Sequence, residues 1–441
     1  VIKTYTIGGF GLNSAVELLS KTATKGQGDF YAADNAEDLA VVLSDIFKDI
    51  LATNTTFTAP AVSVNAFNAS EHRDELFYAL FRPDDKTNWA GNLKKYRLSS
   101  AGNVLDKDGN AAIDTDTGYF ATGSTGFWNI SNPIVPDGGV VDAGGFSGKL
   151  TLARNVLSDN GIGPLLSFDN ASNAETLDME SALSTDVVKL KSWVNGIDVL
   201  DEDGDDNFTE ARNSIGDPLH SEPLVATYGG TAAAPDSTIF FGTNQGFIHA
   251  VNANSGTEVF SYLPKELQSI QKNYYENTLP AISRPYGMDG LITSWIKDAN
   301  KNGVIYDSAN QLETGEHLYI YAGMRRGGLN YYALNVTDRN SPKLLFKIEG
   351  GAGDFTKLGQ TWGRMTIAKV MFNGVSRQVA FIPGGYDTNQ DSNTVREDDS
   401  MGNVIYMVDA SDGTLLWSAS NSDANTIVPD MKNSIPASIS Y

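Results

Sequence analysis

The sharpest chemistry in this sequence is a run of acids at 198–212, DVLDEDGDDNFTEAR. Counted from Asp201, side-chain oxygens recur at the first, third and fifth positions, Asp201, Asp203 and Asp205. The seventh position offers the backbone carbonyl of Asn207, the eighth is apolar Phe208 and the ninth is Thr209. This is the ligand order of an EF-hand loop. Alternate residues of a tight loop turn their oxygens toward one centre, and hard Ca2+ takes about six to eight of them, whereas Mg2+ tolerates the crowding less well. Two positions depart from the pattern. Asp206 stands where Gly is expected, although Asp tolerates positive φ better than most residues. Arg212 stands where a bidentate Glu closes the shell, so Glu210 or a distant residue must complete it. The expectation is Ca2+ held through Asp201, Asp203, Asp205, Asn207 and Thr209. The alternative is a solvated acidic loop.

A second acidic stretch, Asp106-Lys107-Asp108-Gly109-Asn110, is followed by Asp114 and Asp116. Asp106, Asp108, Asn110 and Asp114 form a second calcium candidate, but no helices flank it and a hairpin turn explains it as well. Elsewhere the inventory is thin. The chain has no Cys, which removes Cys-based zinc sites and Cys nucleophiles and leaves the redox compartment unreadable. Four His (His72, His220, His249 and His317) are scattered without metal-ligand spacing. His220 and His249 read as hydrogen-bonded structural residues before ligands or bases. Arg325-Arg326 reads as a solvated turn before a grip on an acidic partner. Tyr319, Tyr321, Tyr331 and Tyr332 read as packing before a carbohydrate platform.

The 441 residues suffice for two or more domains, and 41% hydrophobic content supplies a core. A net charge of −22 argues against a nucleic-acid partner, which needs basic patches to neutralise phosphate. It suits an extracellular surface and the capture of divalent cations. No apolar run approaches the roughly 20 residues of a membrane span.

The elements that must position the acidic loop are strands. Ile239–Tyr262 (IFFGTNQGFIHAVNANSGTEVFSY) reads as three short strands joined by two turns. The unit recurs at Leu318–Phe346 and Asn403–Trp417. An imperfect repeat on this scale points to radially stacked propeller blades, with a β-sandwich of regular hairpins as the alternative. Upstream, residues 1–53 read as the tail of an α/β domain, with a strand at Val1–Ile7 and an amphipathic helix at Ala36–Leu51 capped by Asn35. Residues 54–212 read as a β-rich connecting region with a helix at Thr185–Trp193, and residues 213–441 as propeller blades. The start at Val1 and the strand-like end SIPASISY read as the limits of a piece of something longer.

The segment Gly216-Asp217-Pro218-Leu219-His220-Ser221-Glu222-Pro223 resembles the Gly-Asp-x-x-His-Ser-x-Pro signature that opens the propeller of the PilC/PilY family of type IV pilus tip adhesins. Phe241–Ala250 is similar to the family's Gly-x-Asn-Asp-Gly-x-x-His-Ala segment, with Gln245 where Asp is usual. Tyr321–Gly328 and Leu358–Trp362 resemble its following blades. Trp89-Ala90-Gly91-Asn92-Leu93-Lys94 and Gly144-Gly145 also fit, and residues 1–53 resemble the end of its von Willebrand A-like domain. The resemblance implies a mainly β chain: a partial, quinoprotein-like β-propeller preceded by a β-rich linking region and the C-terminal piece of an α/β domain. It implies a non-enzymatic, calcium-binding adhesin and pilus biogenesis factor at the cell surface and pilus tip. Its partners would be minor pilins and a host-cell or abiotic surface receptor. The family's Asp-x-Ser-x-Ser motif, its second calcium loop and an Arg-Gly-Asp tripeptide have no match here. The competing reading is a quinoprotein dehydrogenase using pyrroloquinoline quinone, since Asp409–Trp417 resembles blades of those enzymes. Many of them place a vicinal Cys pair beside the cofactor, and this chain has no Cys.

Overall fold

The computed structural model describes residues 4–9, 15–26, 28–33, 35, 38–39, 41–43, 46, 57–64, 72–131, 133–179, 184–231, 234–392, 395 and 397–440. Near the start, Thr6–Gly9 pairs in parallel with Phe30–Ala33, and the helix Val16–Lys25 makes the crossover between them. Parallel neighbours require such a crossover, so this is a βαβ unit. Asn35 caps the next helix by accepting from the Asp38 N–H at 2.9 Å. Residues 38–39, 41–43 and 46 of the expected 36–51 helix are helical, and Val42 and Ile46 pack on Ala33. The remainder of that expected helix, and the start of the Val1–Ile7 strand, lie outside the described residues.

Three four-stranded antiparallel meanders follow one another in the second half. The first runs Leu224–Gly230, Pro235–Gly242, Ile248–Asn252 and Glu258–Leu263. The second runs Ile292–Lys297, His317–Gly323, Tyr331–Asn335 and Lys343–Ile348. The third runs Thr366–Phe372, Val375–Pro383, Val404–Asp409 and Leu415–Ser420. Each repeat read from sequence therefore lacks its opening strand or strands, and the blade has four strands rather than three. The apolar runs are continuous because both faces of each blade are covered. In the first blade, Ile239, Phe241 and Val251 face a core shared with Phe77, Ala79 and Leu93 of the preceding sheet. The alternate residues Phe240 and Ala250 face Ile320, Ala322 and Leu334 of the second blade. The second blade in turn turns Tyr321, Tyr331 and Phe346 toward Ala380, Ile382 and Val408 of the third. Period-2 alternation between two buried faces is the packing of stacked propeller blades.

Free sheet edges invite mispairing, and here short strands cover them. Val156–Ser158 adds to the outer strand of the first blade, Gly163–Pro164 to that of the second and Thr426–Ile427 to that of the third. The linking sheet is formed by Phe57–Val64, His72–Arg82, Ala90–Leu98 and, from beyond residue 212, Ile215–Gly216. The connecting region and the blades therefore share a sheet.

The linking sheet buries Lys94 completely, 3.1 Å from Asp137, with Nζ also donating to the carbonyls of Asp137 and Gly138. Gly144 and Gly145 have φ of 59° and 63°, and a Cβ at either would fall within 2.5 Å of an oxygen of Asp137 or Asn92. Burial pulls the Lys94 ammonium down from 10.5 to about 8, against the pull of Asp137. The unfolded chain therefore binds this proton more tightly than the folded one between those two values. The cost of burying the charge is full below about 8 and is relieved as pH rises toward 10.5. Expected result: the urea midpoint of the parent protein improves relative to Lys94→Met across that interval. A constant difference between the two would refute the assignment.

Candidate functional site

The acidic loop is built on the helix Ser184–Val194. After Gly196, residues 197 and 211 pair, the Asp198 N–H donates to the Glu210 carbonyl and the Arg212 N–H to the Gly196 carbonyl. These close the loop at its base. Arg212 is 2% exposed and lies 3.9 Å over the Trp193 ring. Its guanidinium is 3.3 Å from Glu202, which also accepts from Trp193 Nε1 at 2.6 Å. The residue at the twelfth position is thus an anchor rather than a ligand. Glu202 is drawn to the scaffold, and its neighbours Asp201 and Asp203 on either side belong to the acidic groups described next.

Asp201 Oδ1 accepts from the N–H groups of Asp205 and Asp206 at 2.9 and 3.1 Å. Asp201, Gly204 and Asp206 have φ of 54°, 76° and 67°. Asp206 does adopt the left-handed conformation that a glycine would otherwise supply. Two groups of carboxylates converge within 4.8 Å: Asp201, Asp203 and Asp205, and Asp198, Asp203 and Glu210. Asp203 belongs to both. Glu210 enters as the sequence required, and buried Asp198 was missed because the count began at Asp201. Desolvation and the charges of Asp205, Asp203 and Asp198 push the Glu210 carboxyl up. Asn207 Oδ1 accepts from Thr209 N and Oγ1, and Asn207 Nδ2 donates to Glu210 Oε2. An all-oxygen donor set of this charge fits a hard divalent cation, and the mutual repulsion of the acids is what such a cation relieves. Asp198 and Asp203 line one side of a cavity of about 620 Å3, which Arg82, Asn277 and Tyr275 line as well.

Asp106 and Asp114 sit in separate turns. Asp106 Oδ1 accepts from the N–H groups of Asp108 and Asn110, and Asp114 Oδ1 from those of Asp116 and Thr117. Among the described residues, Asp106, Asp108, Asn110 and Asp114 do not converge as a metal-holding group.

The Gly216–Pro223 segment has a different role. Asp217 and Arg284 are wholly buried and joined by two hydrogen bonds, 2.8 and 2.9 Å. Arg284 stacks 3.7 Å over Trp89, binding the linking sheet to the blade ends. Asn244 donates to Asp217 at 2.7 Å and to Asp289 at 3.2 Å, and His220 Nδ1 lies 2.7 Å from Asp289. Ser221 Oγ accepts from the Gly242 N–H at 2.7 Å. Burial pushes the Asp217 carboxyl up and works against Arg284 as well, but pairing with Asp217 holds that guanidinium above its usual range. His249 is buried between Phe241, Phe247 and Phe146, 3.5 Å from Glu258. Burial lowers its pKa. Tyr321, Tyr331 and Tyr332 are buried in the cores between blades, and Tyr319 packs partly buried against one of them. Arg325 and Arg326 lie over the Trp362 ring.

No family model matches the chain. Among curated proteins, it is 23% identical over 430 residues to the type IV pilus biogenesis factor PilY1 of Pseudomonas aeruginosa strain UCBPP-PA14, covering 89% of this chain. The chain is a relative of the PilY1 biogenesis factors. PilY1 of strain PAK is 22% identical over 381 residues, 79% of this chain. A PilY1 homolog of Xylella fastidiosa is 29% identical over 136 residues, 30% of this chain and 9% of its own length. The chain spans about a third of the PilY1 sequences it matches, 31% and 29%. Among solved structures, the P. aeruginosa PilY1 C-terminal domain is 19% identical, with 43% of this chain and 32% of that one covered and a TM-score of 0.26. A quinohemoprotein alcohol dehydrogenase from Pseudomonas putida HK5 is 16% identical, with 47% and 28% covered and a TM-score of 0.23. Among the described residues no helix is long and apolar enough to cross a membrane.

Proposed function

We propose that this chain is the propeller-bearing part of a type IV pilus biogenesis factor that also serves as an adhesin at the pilus tip. The similarity to PilY1 over 430 residues carries the reading. In this reading the stacked blades are a rigid platform, and a calcium ion pins the 198–212 loop where the linking sheet, the helix and the first blade meet. Asp198, Asp201, Asp203, Asp205 and Glu210 supply the carboxylates, with Asn207 and Thr209 in the same loop. Bound Ca2+ would supply charge neutralisation and a fixed loop shape. The βαβ unit at the start fits the end of a von Willebrand A-like domain. The partners are minor pilins and a host-cell or abiotic surface receptor, and the location is the outer cell surface.

The reading includes no bond-making chemistry. Its support is that the buried ionisable groups at the blade ends, Asp217, Arg284, His220 and Asp289, are spent on one another and on Asn244. Adding pyrroloquinoline quinone is expected to leave the cofactor's absorbance unshifted; a saturable shift would restore the dehydrogenase reading. The deciding experiment is immunogold microscopy of intact producing cells with antibody to this chain. Gold at filament ends is expected. Gold confined to the periplasm with bare filaments would overturn the tip placement.

A further inference from the structure

Between the first two strands of the second blade the chain makes an excursion, Asp298-Ala299-Asn300-Lys301-Asn302-Gly303-Val304-Ile305, that the acidic-loop reading does not include. Its hydrogen bonds parallel those of the 201–209 loop. Asp298 accepts from the N–H groups of Asn302 and Gly303, as Asp201 does from Asp205 and Asp206. Asn300 accepts from Asn302 and Asn302 from Val304, as Asp205 does from Asn207. Here a glycine with φ of 79° occupies the sixth position, and Ile305 at the eighth is fully buried. The twelfth residue is Ala309, so the closing carboxylate must come from elsewhere. It comes from the returning arm of a hairpin. Tyr306 pairs with Leu312, and the Glu313 N–H donates to the Ile305 carbonyl at 3.0 Å. This sets both Glu313 oxygens against the Asn302 side chain, at 2.8 and 3.0 Å, and against that of Asn300.

That geometry alone would describe a tidy polar turn. A separate observation points to a ligand. Glu316 is only 7% exposed, and its Oε1 accepts from the backbone of Ala299 and Asn300, so the carboxylate is turned onto the loop. Its Oε2 is buried with no hydrogen-bond partner. A buried carboxylate oxygen without a donor is costly unless something positive meets it. Among the described residues, neither Lys297 nor Lys301, the nearest cations in sequence, forms an ion pair with Asp298, Glu313 or Glu316. The missing partner is therefore a small cation rather than a side chain.

We propose that Asp298, Asn300, Asn302, the Val304 carbonyl, Glu313 and Glu316 form a second divalent-cation site of the calcium class, built into the second blade. The donors are all oxygens, as a hard cation requires, and each Asn oxygen keeps a lone pair beyond the backbone bond it accepts. Three carboxylates against the five acids of the 198–212 loop make this the weaker site. The proposal does not depend on calcium at the 198–212 loop. A cation here would clamp the excursion between two strands of a blade and stiffen the blade's outer surface.

The test is equilibrium dialysis of the full chain with radioactive calcium at about 1 mM, the range of weak extracellular sites. The parent protein is compared with Asp298→Asn/Glu313→Gln and with Asp203→Ala. Two equivalents in the parent, one lost in each variant, is the expected result. One equivalent that disappears only in Asp298→Asn/Glu313→Gln would keep this site and reject the other. A stoichiometry untouched by Asp298→Asn/Glu313→Gln, or no calcium in the parent, overturns the proposal. Should that variant misfold, the parent protein still decides. Lys301 is exposed in the centre of the loop. Tryptic cleavage after Lys301, followed by mass spectrometry, is expected to slow severalfold with calcium relative to chelator. An unchanged rate counts against the site.

Discussion

Replacing Arg284 by Met is expected to destabilise the blades by about 3–5 kcal/mol, because it leaves Asp217 as an unpaired buried charge. Both side chains are wholly buried, and the guanidinium makes two parallel bonds to the carboxylate. The same guanidinium stacks on Trp89, so the loss also loosens the linking sheet from the blade ends. Arg284→Lys does not rescue, since an ammonium cannot make the paired bonds or the stack. The decisive comparison is Asp217→Leu/Arg284→Met. Removing both charges together should recover much of the loss, as apolar replacements of buried pairs often do. Urea midpoints of the three variants give the answer. If the double variant is as unstable as the sum of two independent losses, the pair is not the keystone.

This pair shows where sequence reading runs out. The Gly-Asp-x-x-His-Ser-x-Pro segment is conspicuous as a string, but its meaning lies in Arg284 and Asp289, 67 and 69 positions further on. No local period or spacing joins residues so far apart. The blades were legible because strands with two buried faces are unbroken apolar runs between Gly turns, as Ile239–Gly242 and Tyr331–Asn335 are. The opening strand Leu224–Gly230 was not, since its turn at 231–234 carries no Gly or Asn. In the third blade the cue was present. Asn373-Gly374 has φ of 51° and 77°, the conformation a two-residue hairpin asks for, and it joins two strands that pair residue for residue. For the acidic loop, alternation located Asp201, Asp203 and Asp205. Asp198 escaped because its approach to Asp203 depends on the 197–211 closure, which a linear count does not contain. The 298–316 loop escaped for a related reason: its closing carboxylates arrive by a hairpin and a strand end, outside any twelve-residue frame.

The second large effect concerns Asp203. Its carboxylate is common to the two converging groups, so a cation shared among them loses a ligand whichever way it is seated. Asp203→Ala is therefore expected to abolish calcium binding at this loop. Asp205→Ala and Glu210→Gln, each belonging to one group, should weaken it by smaller and separable amounts. Calorimetry on the full chain reads this directly as the loss of one binding event, against the reduced affinity of the single-group variants. Arg212 supplies the control. It is tied to Trp193 and Glu202 beneath the loop rather than to the converging acids. Arg212→Met should lower stability through the lost ion pair and stack while the loop, where folded, still binds. An Asp203→Ala protein that binds as the parent does would place the ion outside this loop. Loss in Asp205→Ala equal to that in Asp203→Ala, with Glu210→Gln silent, would seat the ion in the group of Asp201, Asp203 and Asp205. The reverse pattern would seat it beside Asp198, at the edge of the cavity, where a partner's carboxylate has room to complete the coordination shell.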